Sequence, residues 1–265
     1  MYIQLQHSYF EDGTLTGTHQ SGFYSCINEA RNSLFTLISD FKIFPERISF
    51  RETLNWYRDD QDLYEILYKT DKEKIDFLKN YTFDKNKMIS CATGTDYRTL
   101  DINKIKILND VYFLPSERVE KRVKELEHKY NIDYNNILAV LHRGTDKWKE
   151  AILSPFEQWI QHIEEKNDKG YRILIQTDDI VYKENFLKEL SSNFIFEEMI
   201  QDKDHVKPTS NKIQWCIDYE SIMRIISKCN KIITHAGNSG QIPILYRGNL
   251  NNVSQCYCDG TFITF

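Results

Sequence analysis

Six consecutive residues, His142, Arg143, Gly144, Thr145, Asp146 and Lys147, bring an imidazole, a guanidinium, a carboxylate and an ammonium group into one short stretch. Arginine offers a planar fork of donors that matches phosphate oxygens, and a nearby lysine adds a point charge. Such a set suits a phosphate-bearing ligand. It also suits a solvated loop with one Arg–Asp ion pair, so the hexapeptide alone leaves both readings open. Position adds information: the apolar run 137–141 just before it reads as a buried strand. In an open α/β sheet, ligands gather in the crevice outside the carboxyl ends of the strands.

Two more predicted strands deliver chemistry to the same edge. Residues 171–176 end in Thr177, Asp178 and Asp179, and residues 231–234 run into His235, Ala236, Gly237, Asn238, Ser239 and Gly240. Glycines on both sides of Asn238 and Ser239 let a backbone approach a ligand closely, and a helix N-terminus carries a partial charge of about +0.5. That turn has the form of a diphosphate cradle. Neither the G-x-x-x-x-G-K-[ST] phosphate loop nor the G-x-G-x-x-G dinucleotide fingerprint is present, which lowers ATPase and dehydrogenase readings. Asp178 and Asp179 could hold a metal, bond a ribose or cap the next helix, and no metal is expected. The seven histidines show no H-x-x-x-H spacing. Only His142 and His235 stand at strand ends, while His205, in a polar loop, is an outside candidate for contact with a nucleotide base.

The elements that must position these residues follow from periodicity. Residues 21–41 predict a core-facing helix with the stripe Ile27, Ala30, Leu34, Leu37, Ile38 and Phe41. Gly17, Ser21 and Gly22 precede it, as a plain cap or as donors to an anion or a sugar hydroxyl. A strand over 45–50 and a small cluster at 54–57 follow, and 59–90 is only weakly periodic. Pro115 and Ser116 open a charged helix, 117–130, whose thin apolar stripe is Val119, Val123 and Leu126. It suits a surface or a connection between lobes, and places a boundary between domains 1–130 and 131–265. Beyond it, Ser154, Pro155 and Glu157 form the pattern of a capping box, with Phe156, Ile160 and Ile163 as the buried face. Helices over 183–190, 218–227 and 241–246 alternate with a strand at 194–196 and a polar loop at 201–212. The expected class is α/β, with a parallel doubly wound sheet in the C-terminal lobe.

The 265 residues can bury a sizeable core, and a net charge of -5 argues against a nucleic-acid partner. No apolar run approaches the roughly 20 residues needed to span a bilayer, and residues 1–7 lack the features of a secretory signal. A soluble, cytoplasmic protein without stable membrane insertion is expected. The six cysteines are scattered, and the lone pair Cys256 and Cys258 makes a poor zinc site, so reduced structural thiols are expected.

Leu141 to Lys147, then Glu150-Ala151 and Ser154-Pro155-Phe156-Glu157, resembles the segment H-x-R-R-T-D-K, spacer, E-A, x-P-x-E-E of α-1,6-fucosyltransferases, nodulation enzymes among them. Ile175 to Asp179 is similar to their A-T-D-D strand end, and Gly237-Asn238-Ser239 takes the place of their S-S phosphate motif. The resemblance covers about residues 137–180, thins over 217–247 and is little more than positional before that. It implies a two-lobed GT-B fold of two Rossmann-type lobes, with a GDP-sugar bound in the C-terminal lobe and no metal or other cofactor.

By the resemblance Arg143 contacts the β-phosphate, Asp146 and Lys147 map onto the family's aspartate and lysine, and Glu150 onto its proposed catalytic glutamate across a one-residue gap. Asp218 is the counterpart of the aspartate that reads guanine, with Glu220 close behind. The expected catalytic set is therefore Glu150, Lys147 and Arg143. The expected donor-binding set is Arg143, His142, Asp146, Asp178, Asp179, Asp218, Gly237, Asn238 and Ser239. The family's second arginine is Gly144 here, and its leading histidine falls at Leu141, with His142 shifted by one. The animal enzymes' anchor and stem have no counterpart, so the bacterial cytosolic arrangement is the expected one. The implied activity is an inverting, metal-independent transfer from a GDP-sugar, GDP-fucose foremost, to a glycan acceptor. The alternatives are a transferase using another nucleotide sugar, a non-catalytic nucleotide- or glycan-binding module, and an unrelated doubly wound protein.

Overall fold

The computed structural model of the chain describes residues 3–4, 7–9, 12–17, 22–54, 57, 60–81, 96–144, 154–199, 211–257 and 259–265. They fall into two compact units. The first comprises Met1–Ser90, Arg98–Arg122 and Pro208–Glu220, and the second Cys91–Tyr97, Val123–Lys207 and Ser221–Phe265.

In the first unit, β1 (Ile3–Gln4), β2 (His7–Tyr9), β3 (Thr14–Gly17) and β4 (Arg47–Ser49) form one sheet in that order. The first three run antiparallel, whereas β3 and β4 pair in parallel across α1 (Phe23–Phe41), a βαβ crossover. Ile27, Ala30, Leu34, Leu37 and Ile38 of α1 are buried as their spacing predicts. Phe41 departs from the stripe at 46% exposed, because the helix stops at Lys42 in a left-handed conformation. Short elements follow: α2 (Leu63–Leu67), β5 (Tyr68–Lys69), α3 (Lys72–Leu78), α4 (Ile102–Tyr112) and β6 (Leu114–Pro115), with β5 and β6 antiparallel. The helix α5 (Glu117–Lys129), which belongs to the first unit up to Arg122 and to the second from Val123, buries Val119, Val123 and Leu126, as read from the sequence.

The second unit carries β7 (Ile137–His142), α6 (Phe156–Lys166), β8 (Arg172–Thr177), α7 (Ile180–Glu189), β9 (Asn193–Ile195), the end of α8 (Lys212–Lys228), β10 (Lys231–His235), α9 (Asn238–Arg247), β11 (Val253–Cys256) and β12 (Phe262–Thr264). The strand order is β12-β11-β10-β7-β8-β9, parallel throughout except for β11 against β12. The chain winds from β7 outward to β9, then returns to start again at β10 on the other side of β7. That reversal is the topological switch point of a doubly wound sheet. All six residues of β7 are buried, which is why this strand reads as a continuous apolar run. Leu138 and Val140 on one face pack with Ile173, Ile175, Trp159, Ile163 and Phe186. Each such side chain contributes about 1.5–3 kcal/mol by leaving water.

Helix starts differ from the sequence expectation for local reasons. The N-cap of α6 is Pro155, and the Ser154 hydroxyl donates to Gln158 Oε1 at 2.8 Å, so the capping box is not formed. Asp179 caps α7 and brings its start forward to Ile180, while α8 begins at Lys212 and α9 at Asn238. Cys26, Cys216, Cys229 and Cys256 are buried free thiols, and burial pushes Cys229 up to about 12. Among the described residues no helix is long and apolar enough to cross a membrane.

Candidate functional site

Strand pairing sets His142 opposite Thr177, so the chain leaves β7 and β8 side by side. The Gly144 N–H donates to Asp178 Oδ1 at 2.8 Å, and Asp178 Oδ2 lies 3.7 Å from Arg143 Nε. Asp178 thereby fastens the turn after β7 to the end of β8. Asp179 accepts from the N–H groups of Val181 (2.9 Å) and Tyr182 (3.2 Å), the geometry of a helix N-cap. A Cβ added to Gly144 would lie 2.8 Å from Asp179 Oδ2 and 2.9 Å from His142 Cε1. An arginine there would have to displace both.

His142, expected at the ligand, is placed in the core instead. Along β7 it shares a face with Leu138 and Val140, two residues apart each time, and that face packs against α6 and α7. Its ring stacks on Tyr182 (centroids 4.1 Å apart), meets Trp159 edge-on at 5.1 Å and shares a 2.8 Å hydrogen bond with Thr177 Oγ1. Only 4% of it is exposed. Burial lowers its pKa to about 4 against the opposing pull of Asp179, so the imidazole is neutral at pH 7.

The end of β10 is built differently. Gly237, the N-cap of α9, has no side chain to cap with. A Cβ on Gly240 would lie 2.1 Å from the His235 carbonyl oxygen and 2.7 Å from Thr234 Oγ1. Glycine is what lets α9 sit against the strand end, where Thr234 donates its hydroxyl to the Gly240 carbonyl at 2.8 Å. The third glycine of a dinucleotide fingerprint serves helix–strand packing in the same manner. The Gly237 N–H points inward and donates to His235 Nδ1 at 3.0 Å, while His235 Nε2 lies 3.3 Å from Ser239 Oγ. Tyr97 secures this corner, donating its hydroxyl to the His235 carbonyl (2.6 Å) and its N–H to Gln255 Oε1 (3.0 Å). Of the expected cradle, Gly237 is therefore taken by the protein itself. Asn238 and Ser239 are the first residues of α9 rather than a loop before it. The spacing of His235, Gly237 and Ser239 at i, i+2 and i+4 was the signal for this bracket.

Asp146, Lys147 and Glu150 lie outside the described residues, as do Thr145 and His205. Asp218 belongs to the first unit, where its Oδ1 accepts from Arg122 Nε at 2.6 Å and Gln214 Nε2 at 2.9 Å. Glu220, the other candidate for guanine, is 0% exposed in that unit and accepts from the hydroxyls of Tyr68 (2.8 Å) and Tyr24 (3.2 Å). Among the described residues, no group of three or more His, Cys, Asp or Glu side chains could hold a metal ion.

Arg143 thus follows β7 and the start of α9 follows β10, on neighbouring strands at the switch point. A guanidinium and a helix N-terminus on either side of that crevice form a setting for an anion. The chain as a whole has an α/β, GT-B-like fold, as expected from the sequence.

Among solved structures the chain is similar to NodZ α-1,6-fucosyltransferase co-crystallized with GDP, with a TM-score of 0.54 and 11% identity over 94% of this chain and 96% of that one. Fucosyltransferase NodZ from Bradyrhizobium gives 0.55 and 10% over the same shares. NodZ soaked with GDP-fucose gives 0.55 and 10% over 94% of this chain and 98% of that one. In sequence, the chain matches no family and no curated protein.

Proposed function

We propose that the chain is a glycosyltransferase that takes its sugar from a GDP-sugar, GDP-fucose foremost, and passes it to a glycan acceptor with inversion and without a metal ion. The observation that carries this is the placement of Arg143 and the α9 N-terminus after the neighbouring strands β7 and β10, at the switch point. Its support is a fold shared with a fucosyltransferase solved with GDP and with GDP-fucose. As the bond from the anomeric carbon to the β-phosphate oxygen breaks, the sugar becomes oxocarbenium-like and GDP gains negative charge. The Arg143 fork and the α9 dipole stabilise that charge in place, without reorganisation. The acceptor hydroxyl attacks the opposite face and gives its proton to a general base, assigned to Glu150 with Lys147 as partner, while Asp146 is assigned to the donor-binding set. Asp178 and Asp179 already accept hydrogen bonds from backbone N–H groups, which supports the metal-free form of the reaction. The cytoplasm, where buried thiols stay reduced, is the proposed compartment.

The test is calorimetric titration with GDP, GDP-fucose, GDP-mannose, UDP-glucose and NAD, each with and without EDTA. Micromolar, EDTA-insensitive binding confined to guanine nucleotides is the expected result. Preference for UDP-glucose or NAD, or loss of binding in EDTA, overturns the proposal. One observation favours a second reading: position 144 is closed to a side chain unless Asp179 and His142 shift, so the family's second arginine could stand there only by displacing them. A transferase for another sugar, or a binding module without turnover, accommodates that closure. GDP binding with no transfer from GDP-fucose to any oligosaccharide in an acceptor panel would select this second reading.

A further inference from the structure

We infer that His235 is a positioning residue that makes the Ser239 hydroxyl a hydrogen-bond donor to the diphosphate of the sugar donor, an inference that rests on the GDP-sugar assignment above. Both nitrogens of the His235 ring are engaged by the turn that follows it. Nδ1 receives the Gly237 N–H at 3.0 Å, and a nitrogen that accepts carries a lone pair. In the neutral ring the proton is therefore on Nε2. Nε2 lies 3.3 Å from Ser239 Oγ and donates to it.

A serine hydroxyl holds one proton and two lone pairs. With one lone pair facing Nε2–H, the Oγ proton is directed to an acceptor elsewhere. A helical serine ordinarily gives it to the carbonyl four residues back. Here that carbonyl belongs to His235 and takes the Tyr97 hydroxyl at 2.6 Å, while the Ser239 hydroxyl lies against the His235 ring. Ser239 is 9% exposed and is the second residue of α9, at the positive end of the helix. An acceptor arriving there is favoured when it is anionic. The relay Nε2–H to Oγ–H to phosphate oxygen polarises along its length, so it strengthens as the leaving group gains charge. No proton changes owner in this scheme; His235 acts only through Ser239.

Asparagine at position 235 separates the two bonds. Its side-chain oxygen can accept the Gly237 N–H in place of Nδ1, but the side chain is too short to reach Ser239. The experiment is a double-mutant cycle on GDP affinity and on GDP-fucose turnover with Ser239→Ala, His235→Asn and both together. Ser239→Ala should weaken GDP binding about tenfold or more, as loss of a hydrogen bond to a charged group does. His235→Asn should lose most of the same factor with an unchanged melting temperature, and the double variant no more than Ser239→Ala alone. In both single variants kcat should fall by a larger factor than KM rises, because the bond is strongest in the transition state. Additive losses, or wild-type GDP affinity in His235→Asn, overturn the inference. Should His235→Asn fail to fold, Ser239→Thr against Ser239→Ala decides: the retained hydroxyl should restore affinity, and equal affinities sink the idea. A wild-type protein that binds no GDP overturns the GDP-sugar assignment and the inference together.

Discussion

The ends of β8 and β10 flank the same central strand and meet solvent with opposite chemistry. At β8 two adjacent carboxylates face backbone donors of the protein itself: Gly144 for Asp178, Val181 and Tyr182 for Asp179. At β10 the helix begins on a glycine with no capping side chain, and a histidine braces the turn from behind. One edge uses its charge to build, whereas among the described residues no carboxylate caps the helix dipole of the other. Under the proposed function the ligand is assigned to the β10 side with Arg143 from the end of β7, and the hydrogen bonds of the acidic pair are those of a brace and a helix cap.

The largest effect should come from Arg143→Ala, which removes the charged fork from the crevice. Turnover should drop at least about a hundredfold with the circular dichroism spectrum unchanged, the scale of losing one preorganised donor to a developing anion. Near-normal turnover would erase the contrast between the two edges. Gly240→Ala places a Cβ 2.1 Å from the His235 carbonyl oxygen and should cost about 2–3 kcal/mol in urea unfolding while also weakening GDP binding. Stability loss without a change in GDP affinity would detach α9 from the ligand.

Acid should act through the β7 and β8 side. His142 titrates near 4 when folded because of burial, against about 6.5 unfolded, so the unfolded chain binds more protons between these values. Stability from this group is complete above about pH 6.5 and declines as pH falls toward 4, by about 2 kcal/mol between pH 7 and pH 5. Urea midpoints at the two pH values, in wild type and in His142→Leu, check the sign: the leucine variant should lose that part of the slope. The smallest effect belongs to Asp179→Ala, which removes a cap from α7 and should lower stability by about 1 kcal/mol. If it instead made nucleotide binding depend on an added divalent cation, the acidic pair would have to be reassigned as ligand-binding.

Much of the second unit was legible because parallel strands buried on both faces leave unbroken apolar runs. β7, β8 and β10 fall where those runs fall, and their ends mark the crevice. The core placement of His142 is hidden because the apolar run ends at Leu141, although period-two counting from Leu138 and Val140 carries it to the core face. The start of α9 was hidden because a glycine N-cap gives no side-chain signal, and α8 began earlier because its first turns follow a polar stretch. Glu220 could not be anticipated as a core residue, since the tyrosines that satisfy it are Tyr24 and Tyr68, 196 and 152 residues away in the chain. α4, by contrast, carries a stripe in Ile102, Ile105 and Leu108 that its charged neighbours obscure.

The buried thiols turn the molecule into its own stopwatch. Cys26, Cys216, Cys229 and Cys256 sit in the interior, two of them, Cys216 and Cys229, with thiols that burial drives far from ionisation. Thiolate is the reactive species, so an alkylating reagent can label these two only during excursions that expose them. Because Cys216 lies in the first unit and Cys229 in the second, peptide-resolved labelling would time the opening of each unit separately, with no probe introduced.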